Sequence, residues 1–244
     1  MTQQVTHIAG GKGDLVDHGG VDAHGPDSQG IEARNYAHRA EAPHTAGYLW
    51  KPVLASIERE QGRLGRAARI VDLGCGAGHL VSDLARRGYD IVGIEPSDSG
   101  VAAFRASGRP GRVIQSDANG GLAAQLGAAG FGAFDIVVST EVIEHVYEPR
   151  KYAACMRSLL APGGLAIVTT PYHGYWKNLL IALTGKFDDH FTALWDYGHI
   201  KFWSRATLTA LLAEQGFAAE RFSRVGRALP ALAKSMVLEV RRGA

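Results

Sequence analysis

Three acidic side chains stand at points of the sequence where a ligand could use them. Asp72 lies just ahead of a glycine run, Gly74-Cys75-Gly76-Ala77-Gly78. Glu95 closes the apolar stretch Ile91–Ile94, and Asp117 follows a third such stretch in Gln115-Ser116-Asp117-Ala118. Glycines are required where backbone turns tightly and approaches a ligand, because a Cβ would fill the space. The dinucleotide fingerprint G-x-G-x-x-G would seat a pyrophosphate on the following helix. In this chain the third glycine comes one residue early, and Asp72 would repel a diphosphate. A nucleoside carrying an ammonium and a sulfonium charge would be attracted instead, which favours S-adenosylmethionine over NAD. Glu95 is placed to accept hydrogen bonds from two ribose hydroxyls. Ser97 or Asp98 can cap the next helix, so Glu95 is spare for that task. Asp117 is placed to accept from the exocyclic amine of the adenine, and Thr140 is a further candidate for cofactor contact.

A second constellation follows directly. Ser139-Thr140-Glu141-Val142-Ile143-Glu144-His145-Val146 spaces two carboxylates and an imidazole at i, i+3 and i+4, which one turn of helix would bring to the same face. Another histidine comes later, in Tyr197-Gly198-His199-Ile200-Lys201-Phe202-Trp203-Ser204.

These groups need a rigid frame. From Arg69 onward, strand and helix signals alternate, the mark of βαβ units on a parallel sheet and hence of a doubly wound α/β fold. Strands are expected at 69–73, 90–95, 112–116, 134–139 and 164–170. Helices are expected at 78–87, 97–107, about 149–160 and 204–215, with Pro162-Gly163-Gly164 as the turn out of the third of these. The segments 218–225 and 234–241 both read as strands with no helix between them, an antiparallel hairpin at a sheet edge. Upstream, Ile31 to about Glu60 reads as helical, with Tyr36, Tyr48, Leu49, Val53 and Ile57 facing inward. Tyr36, His44 and Tyr48 are candidates to cover the cofactor. Residues 1–30 lack apolar periodicity and read as a flexible tail, with a metal-binding tract at His7, His18 and His24 as the alternative. Residues 31–244 read as a single domain.

From about residue 45 to the end the chain resembles the class I S-adenosylmethionine-dependent methyltransferases. The matching residues are V-D-L-G-C-G-A-G (71–78), G-I-E-P-S (93–97), the Asp117 segment, F-D-I-V-V-S-T-E-V-I-E-H-V (134–146) and L-L-A-P-G-G (159–164). The resemblance implies a Rossmann-like, seven-stranded, mostly parallel sheet whose last strand is antiparallel. It implies that Asp72 and the loop glycines Gly74, Gly76 and Gly78, with Cys75, hold the methionine part, Glu95 the ribose, and Asp117 with Ala118 the adenine. The 139–146 segment is similar to the ubiquinone-pathway O-methyltransferases and to methyltransferases of the 3′-terminal ribose of small RNAs. In the latter, two glutamates and a histidine of this segment, with a later histidine, hold a divalent metal. Three readings stay open. Glu141, Glu144, His145 and His199 bind a cation that lowers the pKa of a substrate hydroxyl. Alternatively His145 or His199, with Glu144 nearby, is a metal-free general base. In the third, Glu141 and His145 shape the pocket.

Residues 171–203 form a long connection holding nine of the chain's twenty aromatic side chains. Trp176, Leu179, Leu180 and Leu183 fall at helical spacing, an amphipathic helix. Such an insert reads as packing onto the domain, as a lid over an apolar or ring-containing small-molecule acceptor, or as a peripheral membrane contact near Lys177 and Lys186. The expected reaction is methylation of a hydroxyl on a phenol, quinol or sugar. RNA ribose methylation and a non-enzymatic cofactor-binding module are the alternatives.

Composition sets the outer bounds. The 244 residues are 46% apolar and 20% charged, as in a globular chain. Lys plus Arg number 26 against 24 Asp plus Glu, which gives no electrostatic reason to expect nucleic acid. Cys75 and Cys155 form no C-x-x-C. No run is apolar enough to span a membrane, and the first residues lack the features of a secretory signal, so the cytoplasm is expected.

Overall fold

The computed structural model describes Tyr36, His38 and residues 41–191 and 193–243. The tail and its three histidines lie outside the described residues. Seven strands make one sheet: β1 (Arg69–Leu73), β2 (Asp90–Glu95), β3 (Val113–Gln115), β4 (Phe134–Thr140), β5 (Leu160–Pro171), β6 (Phe217–Val225) and β7 (Ser235–Arg242). Their spatial order is β3-β2-β1-β4-β5-β7-β6. The first five are mutually parallel, and β7 runs antiparallel to both β5 and β6. The seven-stranded sheet and terminal hairpin expected from sequence are both present, with β7 inserted between β5 and the edge strand β6.

The strands form where they do because their residues are apolar on both faces. In β4 all but the last residue are buried, as befits a parallel strand covered by helices on each side. One face is packed by α1 (Ala46–Leu64), through Leu49, Val53 and Ile57, and by α2 (His79–Arg86), through Leu80, Val81 and Leu84. The other face is packed by three helices: α4 (Leu122–Ala128), α5 (Pro149–Leu159) and α8 (Arg205–Glu214). Between α2 and α4 lies α3 (Asp98–Ala106).

Several expectations are corrected. The first helix begins at Ala46 rather than Ile31, so Tyr36 lies outside it. α4 had no counterpart in the sequence reading, because glycines flank it and Gly127 lies inside it, yet Leu122 and Leu126 at i, i+4 give it a buried face. The Pro162-Gly163-Gly164 turn is a bulge within β5, where pairing slips from Phe134↔Leu160 to Ile136↔Leu165.

The 171–203 connection folds into α6 (Tyr175–Leu183) and α7 (Phe187–Phe191). The apolar stripe of α6 faces outward: Trp176 is 64% and Leu183 76% exposed, while Ile181 is the helix's buried residue. Packing of that stripe onto the domain is therefore overturned. No described helix is long and apolar enough to cross a membrane.

Candidate functional site

A cavity of about 2120 Å³ opens beyond the carboxyl ends of β1, β2 and β4. That exceeds the roughly 300–1,000 Å³ of a single-ligand pocket, so two ligands fit side by side. On one side Asp72, Gly74, Cys75, Gly76, Glu95, Asp117, Ala118 and Thr140 line it. Gly78 stands behind this wall as the residue leading into α2, with φ 68°. A Cβ on Gly78 would lie 2.5 Å from the Phe104 ring, and one on Gly76 (φ 55°) would lie 2.8 Å from the His38 ring. Close packing of neighbouring rings, as well as the turn itself, thus demands these glycines.

Asp72 is 1% exposed, and its Oδ1 has no hydrogen-bond partner. Burial, reinforced by the charge of Glu95, pushes its carboxyl up to about 7. Glu95 is also buried, but it is well supplied. Its Oε2 accepts from Gly76 N at 2.7 Å and its Oε1 from Ser97 N at 2.9 Å, with His38 Nε2 3.4 Å away. Burial raises this carboxyl, yet His38 and Ser97 outweigh it and hold it below the usual range. Ser97 Oγ caps α3 by accepting from Gly100 N, so Glu95 is indeed not consumed as a helix cap. A buried, unsatisfied carboxylate at the foot of a glycine loop suits a cation, and the donor set is wrong for a diphosphate. A positively charged, hydroxyl-bearing ligand fits this half of the cavity.

The other half is built on the turn after β4. Ile143–His145 is a single 3-10 turn, and Glu141 precedes it with φ 54°, out of helical geometry. The expected shared face for Glu141, Glu144 and His145 therefore does not form. Glu141 points to the sheet: it accepts from Thr169 Oγ1 at 2.9 Å and from Ser235 Oγ at 3.1 Å, and Ser235 Oγ lies 3.2 Å from Tyr48 OH. The groups that do converge are Glu144, His145 and His199, whose ligand-type atoms all lie within 4.8 Å of one another.

Backbone bonds bring His199 there. Ile200 N and Lys201 N donate to Glu144 O at 2.9 and 3.0 Å, and Trp203 Nε1 donates to Ile143 O at 3.2 Å. Glu144 is 1% exposed with neither carboxylate oxygen hydrogen-bonded, and His199 Nε2 stands 3.9 Å from its Oε1. His145 Nδ1 faces the carbonyls of Tyr197 and Gly198 at 3.0 and 3.1 Å. Two acceptors fix the proton on Nδ1 and leave the lone pair on Nε2. Burial, with the charge of Glu141, raises Glu144 well above the ordinary carboxylate range. Burial lowers His145, and burial with His145 and His173 lowers His199 to about 4. Two neutral imidazoles beside an orphaned carboxylate are a donor set for a divalent cation.

Tyr36, His44 and Tyr48 line the same cavity, and the Tyr36 ring lies 4.6 Å from His38 and 5.6 Å from His145. Sequence reasoning missed His38, which meets Glu95, and also His173, which lines the acceptor side. Nothing in the spacing of His38 signals its position. His173 stands two residues beyond the end of β5, the side on which such sheets bind ligands, and that register could have marked it.

Comparison with known proteins gives a consistent answer. A family model described as a methyltransferase domain matches residues 36–221. The ubiquinone biosynthesis O-methyltransferase of Caulobacter sp. (strain K31) is 36% identical over 132 residues, covering 52% of this chain and 51% of that protein. The protein of the same name from Cereibacter sphaeroides (strain ATCC 17029 / ATH 2.4.9) is 40% identical, also over 132 residues, covering 52% of each. The chain thus spans about half the length of the curated relatives it matches. Among solved structures, magnesium protoporphyrin IX methyltransferase from Synechocystis PCC 6803 superposes with a TM-score of 0.57 at 19% identity, covering 80% of this chain and 83% of that one. An S-adenosylmethionine-dependent methyltransferase from Mesorhizobium loti gives a TM-score of 0.55 at 19% identity, over 78% and 96% of the two chains. At that identity the two structures speak for the fold.

Proposed function

Because the chain belongs to the methyltransferase-domain family, we propose that it transfers a methyl group from S-adenosylmethionine to a hydroxyl of a small molecule. Asp72 would receive the ammonium of the cofactor, Glu95 its ribose hydroxyls, and Asp117 with Ala118 its adenine. When bound, the cofactor supplies an electrophilic methyl on a sulfonium. Glu144, His145 and His199 would hold a divalent cation, which lowers the pKa of the acceptor hydroxyl. His145 keeps its Nδ1 proton on the carbonyls of Tyr197 and Gly198 and turns Nε2 to the site. Tyr36, Trp195 and Tyr197 close the aromatic side of the cavity, where they would orient a ring and exclude water.

The buried Glu144 carboxyl, neither of whose oxygens is hydrogen-bonded, beside two neutral imidazoles supports the cation reading, because a general base alone would not require a third ligand-type group there. The free thiols of Cys75 and Cys155 support a reducing cytoplasm as the working compartment. The outward stripe of α6 supports peripheral membrane contact, through which an apolar acceptor would arrive. The decisive experiment follows release of S-adenosylhomocysteine against a panel of phenols, quinols and sugars, with and without a chelator. Turnover that the chelator abolishes and Mg, Mn or Zn restores is expected. Undiminished turnover in chelator would remove the cation, and no turnover with any hydroxyl compound would remove the acceptor class.

A further inference from the structure

His38 sits on the part of the cavity that the cofactor reading gives to the ribose. Its backbone N donates to Ser99 Oγ at 3.0 Å, and that hydroxyl donates to Tyr36 O at 2.5 Å. Ser99, in the first turn of α3, thus tethers both residues, and Tyr36 and His38 line the cavity. The imidazole is wedged between two glycines. A Cβ on Gly76 would lie 2.8 Å from its Cε1, and one on Gly100 would lie 3.0 Å from its Cδ2. The Gly100 Cβ would also lie 3.0 Å from Glu95 Cγ, and His38 Nε2 stands 3.4 Å from Glu95 Oε1. The ring is therefore packed onto Glu95 itself.

An ionised carboxylate offers about four acceptor positions. In Glu95 the backbone takes two of them, Gly76 N on Oε2 and Ser97 N on Oε1. A ribose diol held by this acid needs one further position on each oxygen. His38 Nε2 stands at ion-pair distance from Oε1, and its ring covers Gly76, the residue that binds Oε2. Against burial, His38 and Ser97 keep Glu95 ionised. Imidazole and diol thus call on the same buried charge, and the space beside it is already filled.

We infer that His38 is an internal competitor for the ribose seat of Glu95. The contact, tethered through Ser99, must give way before a ribose diol engages the acid with both hydroxyls. S-adenosylmethionine and S-adenosylhomocysteine share that ribose, so both bind against the same contact. The inference rests on Glu95 as the ribose acid, and it concerns binding rather than methyl transfer.

The test is calorimetry of the full chain with S-adenosylhomocysteine at mildly alkaline pH, above the range in which Asp72 titrates. His38→Ala should tighten binding about two- to fivefold, the scale of releasing a partly exposed ion pair. Ser99→Ala should do the same, because it frees the tether while leaving the imidazole intact. Ser99 stands outside the cavity lining, so its variant removes no cavity wall. The double variant should gain little over His38→Ala, since both changes break one contact. In the parent protein, S-adenosylhomocysteine should also speed carbethoxylation of His38, read by peptide mass. Unchanged or weaker binding in His38→Ala, or protection of His38 by the ligand, would overturn the competition. Glu95→Gln separates the two layers of the argument. If it loses affinity while His38→Ala gains none, the competition alone fails. If it binds as tightly as the parent, Glu95 is not the ribose acid and both readings fall.

Discussion

Two buried carboxyls, Asp72 at its Oδ1 and Glu144 at both oxygens, lack a hydrogen-bond partner, and each makes a prediction whose sign follows from linkage. Asp72 in the ligand-free protein titrates at about 7, so below that pH a proton must leave before a cation can bind. Affinity for S-adenosylmethionine should therefore rise by up to about tenfold per pH unit below neutrality and level off above it. Asp72→Asn should abolish the slope and weaken binding by roughly 10- to 100-fold, the worth of a charged hydrogen bond. Calorimetry between acidic and mildly alkaline pH reads both effects, and a flat profile in the parent protein would contradict the role of Asp72. Glu144 is raised, so its folded state holds a proton that the unfolded chain has already released. Its contribution is favourable at acid pH and is lost as pH climbs from the unfolded toward the folded pKa, at roughly 1.4 kcal/mol per pH unit. Glu144→Gln removes that loss. In chelator the variant should gain on the parent as pH rises, by urea denaturation, while losing Mg, Mn or Zn binding by calorimetry. A variant that binds these cations unchanged would dismiss Glu144 as a ligand.

At the level of elements, α6 is the place where periodicity and packing part company. Trp176, Leu179, Leu180 and Leu183 lie on one side of the helix, as their spacing requires, but that side meets solvent. Trp176→Asp should change stability by no more than about 0.5 kcal/mol, since an exposed position carries little packing. The same change should abolish sedimentation with anionic lipid vesicles if the stripe docks there, and parent protein that never sediments would discard membrane contact. The example also shows where the sequence is silent. Period alone establishes that a helix is amphipathic, and only tertiary structure decides what covers it. The parallel strands were legible because Ile70-Val71 and Ile136-Val137-Val138 are apolar on both faces, bounded by glycine loops and helix caps. α4 was not, since Gly121 and Gly127 mask a helix that needs only Leu122 and Leu126 buried. Asp72 and Glu95 were legible because a strand end fixes a residue in space. Glu141 was misplaced because a single left-handed backbone angle turned it toward Thr169. His38 and Arg227 reach the cavity through chain paths that no local spacing encodes.

For the molecule as a whole, the strand order sets where a ligand must lie. Successive strands run outward from β1 to β3 and then return to the other side at β4, so β1 and β4 flank the reversal, and a crevice opens beyond their carboxyl ends. Asp72 on β1 and Thr140 on β4 border that crevice, and both core clusters share the same strands. A ligand seated there touches residues from both halves of the sheet, and it binds only the folded state. At a hundredfold excess over its Kd it should add about 2.7 kcal/mol of stability. For a chain of this size that raises Tm by roughly 5–11 °C. S-adenosylhomocysteine, which keeps the ammonium and ribose, should produce much of the shift, and NAD none, because its diphosphate would face Asp72 and Glu95. The shift should shrink in Asp72→Asn and persist in Arg227→Gln, an exposed residue that lines the cavity away from the glycine loop. A larger shift with NAD than with S-adenosylmethionine would show that the strand-end carboxylates do not select a cationic nucleoside.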